Sequence, residues 1–244
     1  MKEKIKLGIN IDHVATLRNA RDEDFPNIIR VAKKLREIKV DSITVHLRED
    51  RRHIRDQDVM DLKSSNLLPL NLEMAATNEM KKICLKTFPF ACCIVPERRE
   101  ELTTEGGLDV KNQKHYLSSF LPEIIESGIR TSLFIDPDLN QIKAAKELGV
   151  YAVELHTGKY SRLFKHKNFD DELKKIFDAA TFCSEIGLEC HAGHGLDFKN
   201  VSNISSIPEV VELNVGHFLI SQSLFDGLES TIKNFMKIIG HKNS

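Results

Sequence analysis

Three ionisable side chains of this sequence are of the types that acid/base catalysis uses. They are His46, Glu73 and His194, and each ends or follows a short apolar segment. Imidazole accepts or donates a proton near neutral pH. Glu73 comes directly after Pro-Leu-Asn-Leu, and desolvation at such an apolar lip raises a carboxyl pKa toward the range of a general base. The alternative for Glu73 is a structural salt bridge to a nearby arginine.

Glycines and arginines in other segments have the properties of an anion site. Gly195 and the pair Gly216-His217 follow two late apolar segments, where backbone N–H groups and a helix N-terminus could bind phosphate. Guanidinium groups match phosphate geometry, and six arginines crowd two early segments: Arg18, Arg21, Arg48, Arg51, Arg52 and Arg55. We expect Arg21 and Arg48 to be the phosphate ligands, because the last three are balanced by neighbouring acids as a solvated face would be.

Metal and Schiff-base chemistry are weaker interpretations of the same residues. Asp12 and His13 are adjacent and would face opposite ways on a strand, and His191-x-x-His194 is only a weak ligand spacing. Lys159 is the lysine nearest to the end of an apolar segment, and it lies beyond that end. We therefore predict acid/base catalysis without a metal or another cofactor.

Eight short apolar runs, each followed by a stretch with helical periodicity, must position these groups. This pattern predicts repeated β/α units, with strands at about Lys6–Ile11, Ser42–Leu47, Pro69–Leu72, Phe90–Val95, Thr131–Ile135, Tyr151–Leu155, Leu188–His191 and Val210–Val215. Gly128, Gly149 and Gly187 would end helices just before strands. We predict one domain over residues 1–244, a single (β/α)₈ TIM barrel with extra helices; the alternative is an open doubly wound sheet.

The carboxyl ends of the predicted strands carry polar pairs. Residues two apart on a strand share a face, so four strands would each direct two polar side chains into the barrel mouth: Asn10 and Asp12, His46 and Arg48, Asn71 and Glu73, Glu154 and His156. Catalytic groups of such barrels come from this end. The joint pattern therefore indicates one active site rather than isolated strand caps.

Composition restricts the partners and the location. The formal net charge of -1 gives no basic field for nucleic acid. No apolar run approaches the roughly 18 to 20 residues of a membrane span, and no signal peptide is recognisable, so we expect a cytoplasmic protein. The five cysteines form no C-x-x-C pair and are expected to be reduced core residues. The polar segment from Glu97 to Asn112 could be a lid hinged at Gly106-Gly107.

Long sequence blocks resemble the pyridoxine 5′-phosphate synthase family of vitamin B6 biosynthesis. The resemblance spans nearly the whole chain, and it rests on blocks that include Gly8 to His13, Thr16 to Arg21, Ile43 to Ile54, Asn71 to Ala75, Val95 to Glu97, Thr103 to Val110, Ser132 to Asp136, Glu154 to Gly158, Ala192 to Leu196 and Asn214 to His217. It implies a cofactor-free condensation of 1-deoxy-D-xylulose 5-phosphate with 3-amino-2-oxopropyl phosphate.

The resemblance also implies roles for individual residues. Glu73 and His46 would be general bases, His194 a general acid and Glu154 a stabiliser of the transition state. Contacts to the two phosphorylated substrates would come from Asn10, Asp12, His13, Arg21, Arg48, His53, Thr103, Gly195, Gly216 and His217. Members of the family form homo-octamers with extra helices, one of which could lie within Val110 to Ile125. The acidic run Asp22-Glu23-Asp24 departs from the family pattern, in which glycine usually follows the arginine, and makes Arg21 the least secure contact.

Two other functions fit the same residues. Ten histidines could serve a metal-dependent barrel hydrolase or isomerase of a sugar phosphate. The glycines at 195 and 216 could also belong to a phosphate-ligand sensor that catalyses nothing.

Overall fold

The computed structural model describes residues 4–97 and 106–241. Eight parallel strands form a closed barrel in sequence order, and β1 pairs with β8. The strands are β1 (Lys6–Asn10), β2 (Ser42–His46), β3 (Leu70–Met74), β4 (Ala91–Ile94), β5 (Arg130–Ile135), β6 (Ala152–His156), β7 (Glu189–Gly193) and β8 (Val210–Val215). The predicted TIM barrel is confirmed, with each strand within about two residues of its predicted ends, and the open-sheet alternative is wrong.

Helices surround the barrel and exceed one per strand in the described ranges. They are α1 (Asp12–Asn19), α2 (Ile28–Ile38), α3 (Asp56–Ser65), α4 (Asn78–Thr87), α5 (Val110–Phe120), α6 (Pro122–Glu126), α7 (Leu139–Glu147), α8 (Gly158–Lys165), α9 (Asp170–Glu185), α10 (Val201–Ser205), α11 (His217–Asp226) and α12 (Leu228–Ile238). The extra helices are therefore confirmed, and α5 with α6 occupies the segment in which one was predicted. None of the described helices is both long and apolar enough to cross a membrane.

Local sequence signals explain where the helices begin and end. The side chain of Asn27 accepts the N–H of Arg30 and starts α2, which buries Ala32 and Leu35 on its apolar side. The three glycines predicted to follow helices, Gly128, Gly149 and Gly187, have φ values of 90°, 76° and 71°. Because side chains disfavour this left-handed conformation, glycine allows the chain to turn directly into the next strand.

The barrel interior is polar, whereas the apolar core lies between the strands and the helices. Thr44 Oγ1 donates to Asn214 Oδ1 at 2.9 Å, and Asn214 Nδ2 donates to Glu154 Oε2 at 2.9 Å. A Cβ atom at Gly8 would collide with Asn214, so glycine is what lets this side chain cross the interior. The buried network supports the carboxylate of Glu154 from below.

A buried ion pair joins two of the outer helices. Arg18 of α1 donates to both carboxylate oxygens of Asp58 of α3, at 2.6 and 2.8 Å, and both side chains are buried. Such a bidentate pair fixes relative orientation as well as distance. It positions the segments that follow β1 and β2, which both contribute to the candidate site. The five cysteines are free and buried, as predicted.

Candidate active site

The carboxyl ends of the strands place the predicted catalytic groups at one end of the barrel. His46 ends β2 and stands in register with Glu73 of β3, and Glu154 and His156 come from β6. Parallel strands place these ends on the same rim, so groups far apart in sequence become neighbours. These strand-end side chains therefore converge on one site.

Asn10 and Asp12 form a rigid support beneath His46. Asn10 Oδ1 accepts the N–H of Asp12, and Asn10 Nδ2 donates to Asp12 Oδ2, both at 3.0 Å. Asp12 Oδ1 accepts the N–H of His46 at 2.9 Å. Burial raises the pKa of Asp12, although His46 and Asn10 act to lower it. Asp12 belongs to α1 rather than to the strand, yet it still faces the barrel mouth.

Glu73 is a largely buried carboxyl of the site. Burial raises its pKa well above the ordinary value, and the negative charges of Glu154 and Asp12 raise it further. Among the described residues Glu73 forms no ion pair with an arginine, so the salt-bridge alternative gains no support. A carboxyl whose pKa is raised in this way binds a proton strongly when ionised, as a general base must.

Glu154 is a second carboxyl of the site and is buried. Its pKa is raised to about 7, chiefly by burial and also by Glu212, while His191 and the hydrogen bond from Asn214 oppose the shift. A Cβ atom at Gly193 would collide with its Oε1 atom. Because Glu154 and Glu73 repel each other, the site favours at least one proton on the pair.

His194 has a backbone conformation that few residues with side chains adopt. Its φ is 78°, and Thr157 Oγ1 donates to its carbonyl oxygen at 2.7 Å and to that of Gly193 at 2.8 Å. Its pKa is lowered to about 4, chiefly by burial and then by His156, Arg162 and His217. In the free protein His194 is therefore a neutral imidazole near pH 7.

Three histidines meet above the ends of β1, β2 and β8. The ring centroids of His13 and His217 are 4.8 Å apart, and those of His13 and His53 are 5.7 Å apart. Thr16 Oγ1 lies 2.8 Å from His53 Nδ1. Burial and the two neighbouring imidazoles lower the pKa of His13 to about 4. This cluster can accept protons when an anion arrives, because an anion favours the charged imidazolium.

Glycines line the approach to α11 and to the loop after β7. A Cβ atom at Gly216 would lie 2.7 Å from Cβ of Asn10, and one at Gly195 would lie 2.9 Å from Cβ of Ser161. His217 is the first residue of α11, a ten-residue helix whose first N–H groups have no partner within the helix. Backbone and ligand can therefore approach closely at these positions.

Glu97 is a functional candidate that received no role in the sequence analysis. Its carboxylate lies 3.5 Å from His46 Nε2 and 3.4 Å from Arg48 Nε, and it accepts the N–H of Glu49 at 2.9 Å. Burial acts to raise its pKa, but His46, Arg48 and this N–H together lower it. The sequence signals were an acidic residue just after β4 and its place in the resembling block Val95 to Glu97, neither of which assigned it a role. Its partners follow β2, so local pattern could not reveal them.

The other arginines of the two early segments pair with acidic side chains. Arg21 is exposed, and its Nε lies 3.5 Å from Glu23 of the acidic run. Arg18 is held by Asp58. Arg51, Arg52 and Arg55 pair with acids, namely Asp56 and Glu79, Asp50, and Asp22, as expected of a solvated face. Thr103 and much of the predicted lid fall in residues 98–105, outside the described ranges.

Asp12, His46 and Glu73 also form the one group in the described ranges whose donor atoms could share a metal ion. One ligand atom from each lies within 4.8 Å of the others. One imidazole and two carboxylates are a reasonable donor set for a divalent cation. Both Asp12 oxygens already accept hydrogen bonds, from Asn10 and from His46. The same three side chains could therefore serve either proton transfer or metal binding.

Comparison with known proteins gives consistent relatives. A protein named pyridoxine 5′-phosphate synthase from Roseobacter denitrificans is 48% identical over 241 residues, covering 98% of this chain and 97% of the relative. One of the same name from Rhodospirillum rubrum is 50% identical over 232 residues, with 95% and 93% covered.

Solved structures share the fold at low identity. A 3-keto-L-gulonate-6-phosphate decarboxylase from Vibrio cholerae superposes with a TM-score of 0.66 at 12% identity, covering 98% of this chain and all of the other. That likeness supports the barrel alone. The sequence profile described as "Pyridoxal phosphate biosynthesis protein PdxJ" matches residues 7–241. The chain therefore belongs to the PdxJ family of pyridoxal phosphate biosynthesis proteins.

Proposed function

We propose that this chain condenses 1-deoxy-D-xylulose 5-phosphate with 3-amino-2-oxopropyl phosphate to pyridoxine 5′-phosphate, releasing phosphate and water. The family and the shared name of its relatives support the activity. The structural observation that carries the proposal is the placement of His46 beside Glu73, whose raised pKa is coupled to the charge of a second carboxyl with a raised pKa, the buried Glu154. Ring closure of this kind needs repeated proton transfers to and from carbon, nitrogen and oxygen.

The proposed division of labour follows from the environment of each group. Glu73 and His46 act as general bases, since Glu73 is strongly desolvated and His46 has Glu97 at its Nε2 atom. Glu154 stabilises positive charge that develops on a substrate nitrogen: the cation favours ionisation of Glu154, and a buried carboxylate then interacts strongly with it. His194 acts as the general acid once it is protonated.

Binding of the substrate phosphates favours the protonation of His194. His13 and His194 both have pKa values lowered to about 4 in the free protein. A phosphate dianion near Gly195, Gly216 and His217 would raise these values by favouring the imidazolium form. Asn10, Asp12, Arg48 and His53 complete the proposed contacts; Arg21 and Thr103 belong to the proposal through the family resemblance alone.

The test compares Glu73→Gln with the parent protein. Turnover should fall by about 10²- to 10⁴-fold, the usual contribution of a proton-transfer group, while the affinity for each substrate changes little. Glu126→Gln, an exposed carboxyl of α6, is the matched control and should retain full activity. Undiminished turnover of Glu73→Gln would remove Glu73 from the mechanism, and no pyridoxine 5′-phosphate from the parent protein would refute the function.

A metal-dependent hydrolase or isomerase of a sugar phosphate is the second candidate. The observation that favours it is the arrangement of Asp12, His46 and Glu73. Turnover of a sugar phosphate that disappears after exhaustive chelation and returns with a divalent cation would support it. Full turnover of the two proposed substrates after chelation would exclude it.

A homo-octameric assembly and a cytoplasmic location complete the proposal. The assembly rests on the family resemblance, and analytical ultracentrifugation of the purified protein tests it. The location is supported by five buried free cysteines, which are typical of reducing compartments. Cell fractionation tests the location.

A further inference from the structure

Two polar residues of the barrel rim have no role in the mechanism above. His156 ends β6, and Asp136 comes directly after β5. The imidazole of His156 is 1% exposed, whereas about half of the Asp136 side chain is exposed. A histidine buried to this degree normally has hydrogen-bond partners for its nitrogens. Its surroundings therefore indicate what it does.

One ring nitrogen of His156 contacts a carboxylate, and the other has no hydrogen-bond partner within the described ranges. Its Nδ1 atom lies 3.2 Å from Asp136 Oδ1. Its Nε2 atom is fully buried and has no hydrogen-bond partner among the described residues. Asp136 requires a donor, so the proton resides on Nδ1. A carboxylate that fixes the tautomer of a histidine in this way is a common feature of catalytic and metal sites.

The ring of His156 packs directly on the ring of His194. Their centroids are 4.9 Å apart with an interplanar angle of 60°. The ring centroid of Phe134, from the neighbouring strand β5, lies 5.1 Å from that of His156. A Cβ atom at Gly158 would lie 2.5 Å from His156 Nε2 and 2.8 Å from His194 Cδ2. Only a glycine at this position lets the chain pass so close to both rings.

We propose that His156, anchored by Asp136, is a positioning residue for His194 and controls its ring orientation and its proton. This inference rests on the proposed role of His194 as the general acid. Since Nε2 of His156 is buried and its ring packs on the ring of His194, His156 acts through His194 rather than on the substrate.

Asp136 and the two neighbouring imidazoles also interact electrostatically. Two imidazoles at this separation repel when both are charged. The carboxylate of Asp136 contacts His156 and not His194, so it stabilises positive charge on the His156 ring rather than on the His194 ring. The pKa of His194 is lowered mainly by burial, and then by His156, Arg162 of α8 and His217 of α11. Together these groups keep His194 neutral until an anion binds.

Asp136 is itself held in place by the segment at Gly107 and Leu108. The pKa of Asp136 is lowered chiefly by the bond with His156 and also by the N–H of Gly107, against the effect of burial. Leu108 N donates to the Phe134 carbonyl at 2.7 Å and holds this segment against β5. The carboxylate is therefore held on two sides.

Two variants separate packing from proton control. His156→Phe keeps a ring beside His194 and Phe134 but removes both nitrogens. Asp136→Asn keeps an acceptor for Nδ1 but removes the charge. Asp171→Asn, an exposed carboxyl at the start of α9, is the control. The primary readout is an NMR titration of the His194 ring in substrate-free protein, assigned by its loss in His194→Gln.

In the parent protein His194 should titrate at about 4. In His156→Phe and in Asp136→Asn its pKa should rise toward the ordinary 6.5, and Asp171→Asn should leave it unchanged. With both substrates kcat should fall by up to about 10²-fold, within the contribution of a general acid, with a smaller change in KM. The alkaline limb of kcat/KM should move to higher pH.

An unchanged His194 titration in both variants overturns the inference, as does a rise in Asp171→Asn equal to that in Asp136→Asn. If His156→Phe fails to fold, Asp136→Asn decides alone, because its carboxyl is half exposed. The titration needs no substrate, so it remains decisive even if the parent protein makes no pyridoxine 5′-phosphate. Failure of the proposed function and failure of this inference are thereby distinguishable.

Discussion

Replacing Glu154 with glutamine should stabilise the fold in a pH-dependent manner. Glu154 is buried, and its pKa is raised from 4.5 to about 7. Below pH 4.5 the carboxyl is protonated in both the folded and the unfolded chain. Between 4.5 and about 7 the unfolded chain releases this proton while the folded protein retains it. The fold of the parent protein therefore loses stability as the pH rises through this window.

The size of the effect follows from the width of that window. One pH unit corresponds to about 1.4 kcal/mol for one proton. The window from 4.5 to about 7 then gives a loss of about 3 kcal/mol by pH 8. The glutamine side chain of the Glu154→Gln variant has no charge to lose. Its carbonyl can still accept from Asn214, and the altered hydrogen bonding of its amide adds an offset that does not depend on pH.

Urea unfolding of both proteins at pH values from about 5 to about 8 measures the difference. We expect the advantage of Glu154→Gln over the parent to grow by about 1.4 kcal/mol per pH unit and to level off above about pH 7. Parallel stability curves for the two proteins would refute the reasoning, because a pH-independent offset carries no information on ionisation. Glu126→Gln controls for the loss of one surface charge. Lower turnover of the more stable variant would show that function maintains the buried charge.

Three further predictions concern the supports of the site. Asp58→Ala leaves Arg18 buried and unpaired, so the free energy of unfolding should fall by about 3–5 kcal/mol in urea titrations; a loss below about 1 kcal/mol would contradict the buried-pair argument. Gly216→Ala places a Cβ atom 2.7 Å from Cβ of Asn10. It should weaken phosphate binding in calorimetry and lower the free energy of unfolding by about 1–3 kcal/mol; unchanged binding would show that the backbone at this position moves to accommodate the methyl group. Glu97→Gln removes the charge beside His46 Nε2 and should lower kcat by up to about 10²-fold without raising KM; a rise in KM alone would assign Glu97 to binding.

The sequence was sufficient for the barrel and for much of its rim. Apolar runs followed by helical periodicity located all eight strands, and the side-chain period of two placed Asn10, His46, Glu73 and Glu154 on the inner face. Both signals are local. The family resemblance added the substrates, which no spacing could name.

Only the tertiary structure decided which charges face one another. Glu97, which follows β4, contacts His46 and Arg48, which belong to or follow β2. Arg18 forms a buried ion pair with Asp58, and Arg21 is exposed beside Glu23. These partners lie on different elements, so no periodicity relates them. The pKa values of Glu154 and His194 have the same origin, since burial and neighbours from other elements set them. Sequence pattern thus determined which side chains reach the barrel mouth, and packing determined their ionisation there.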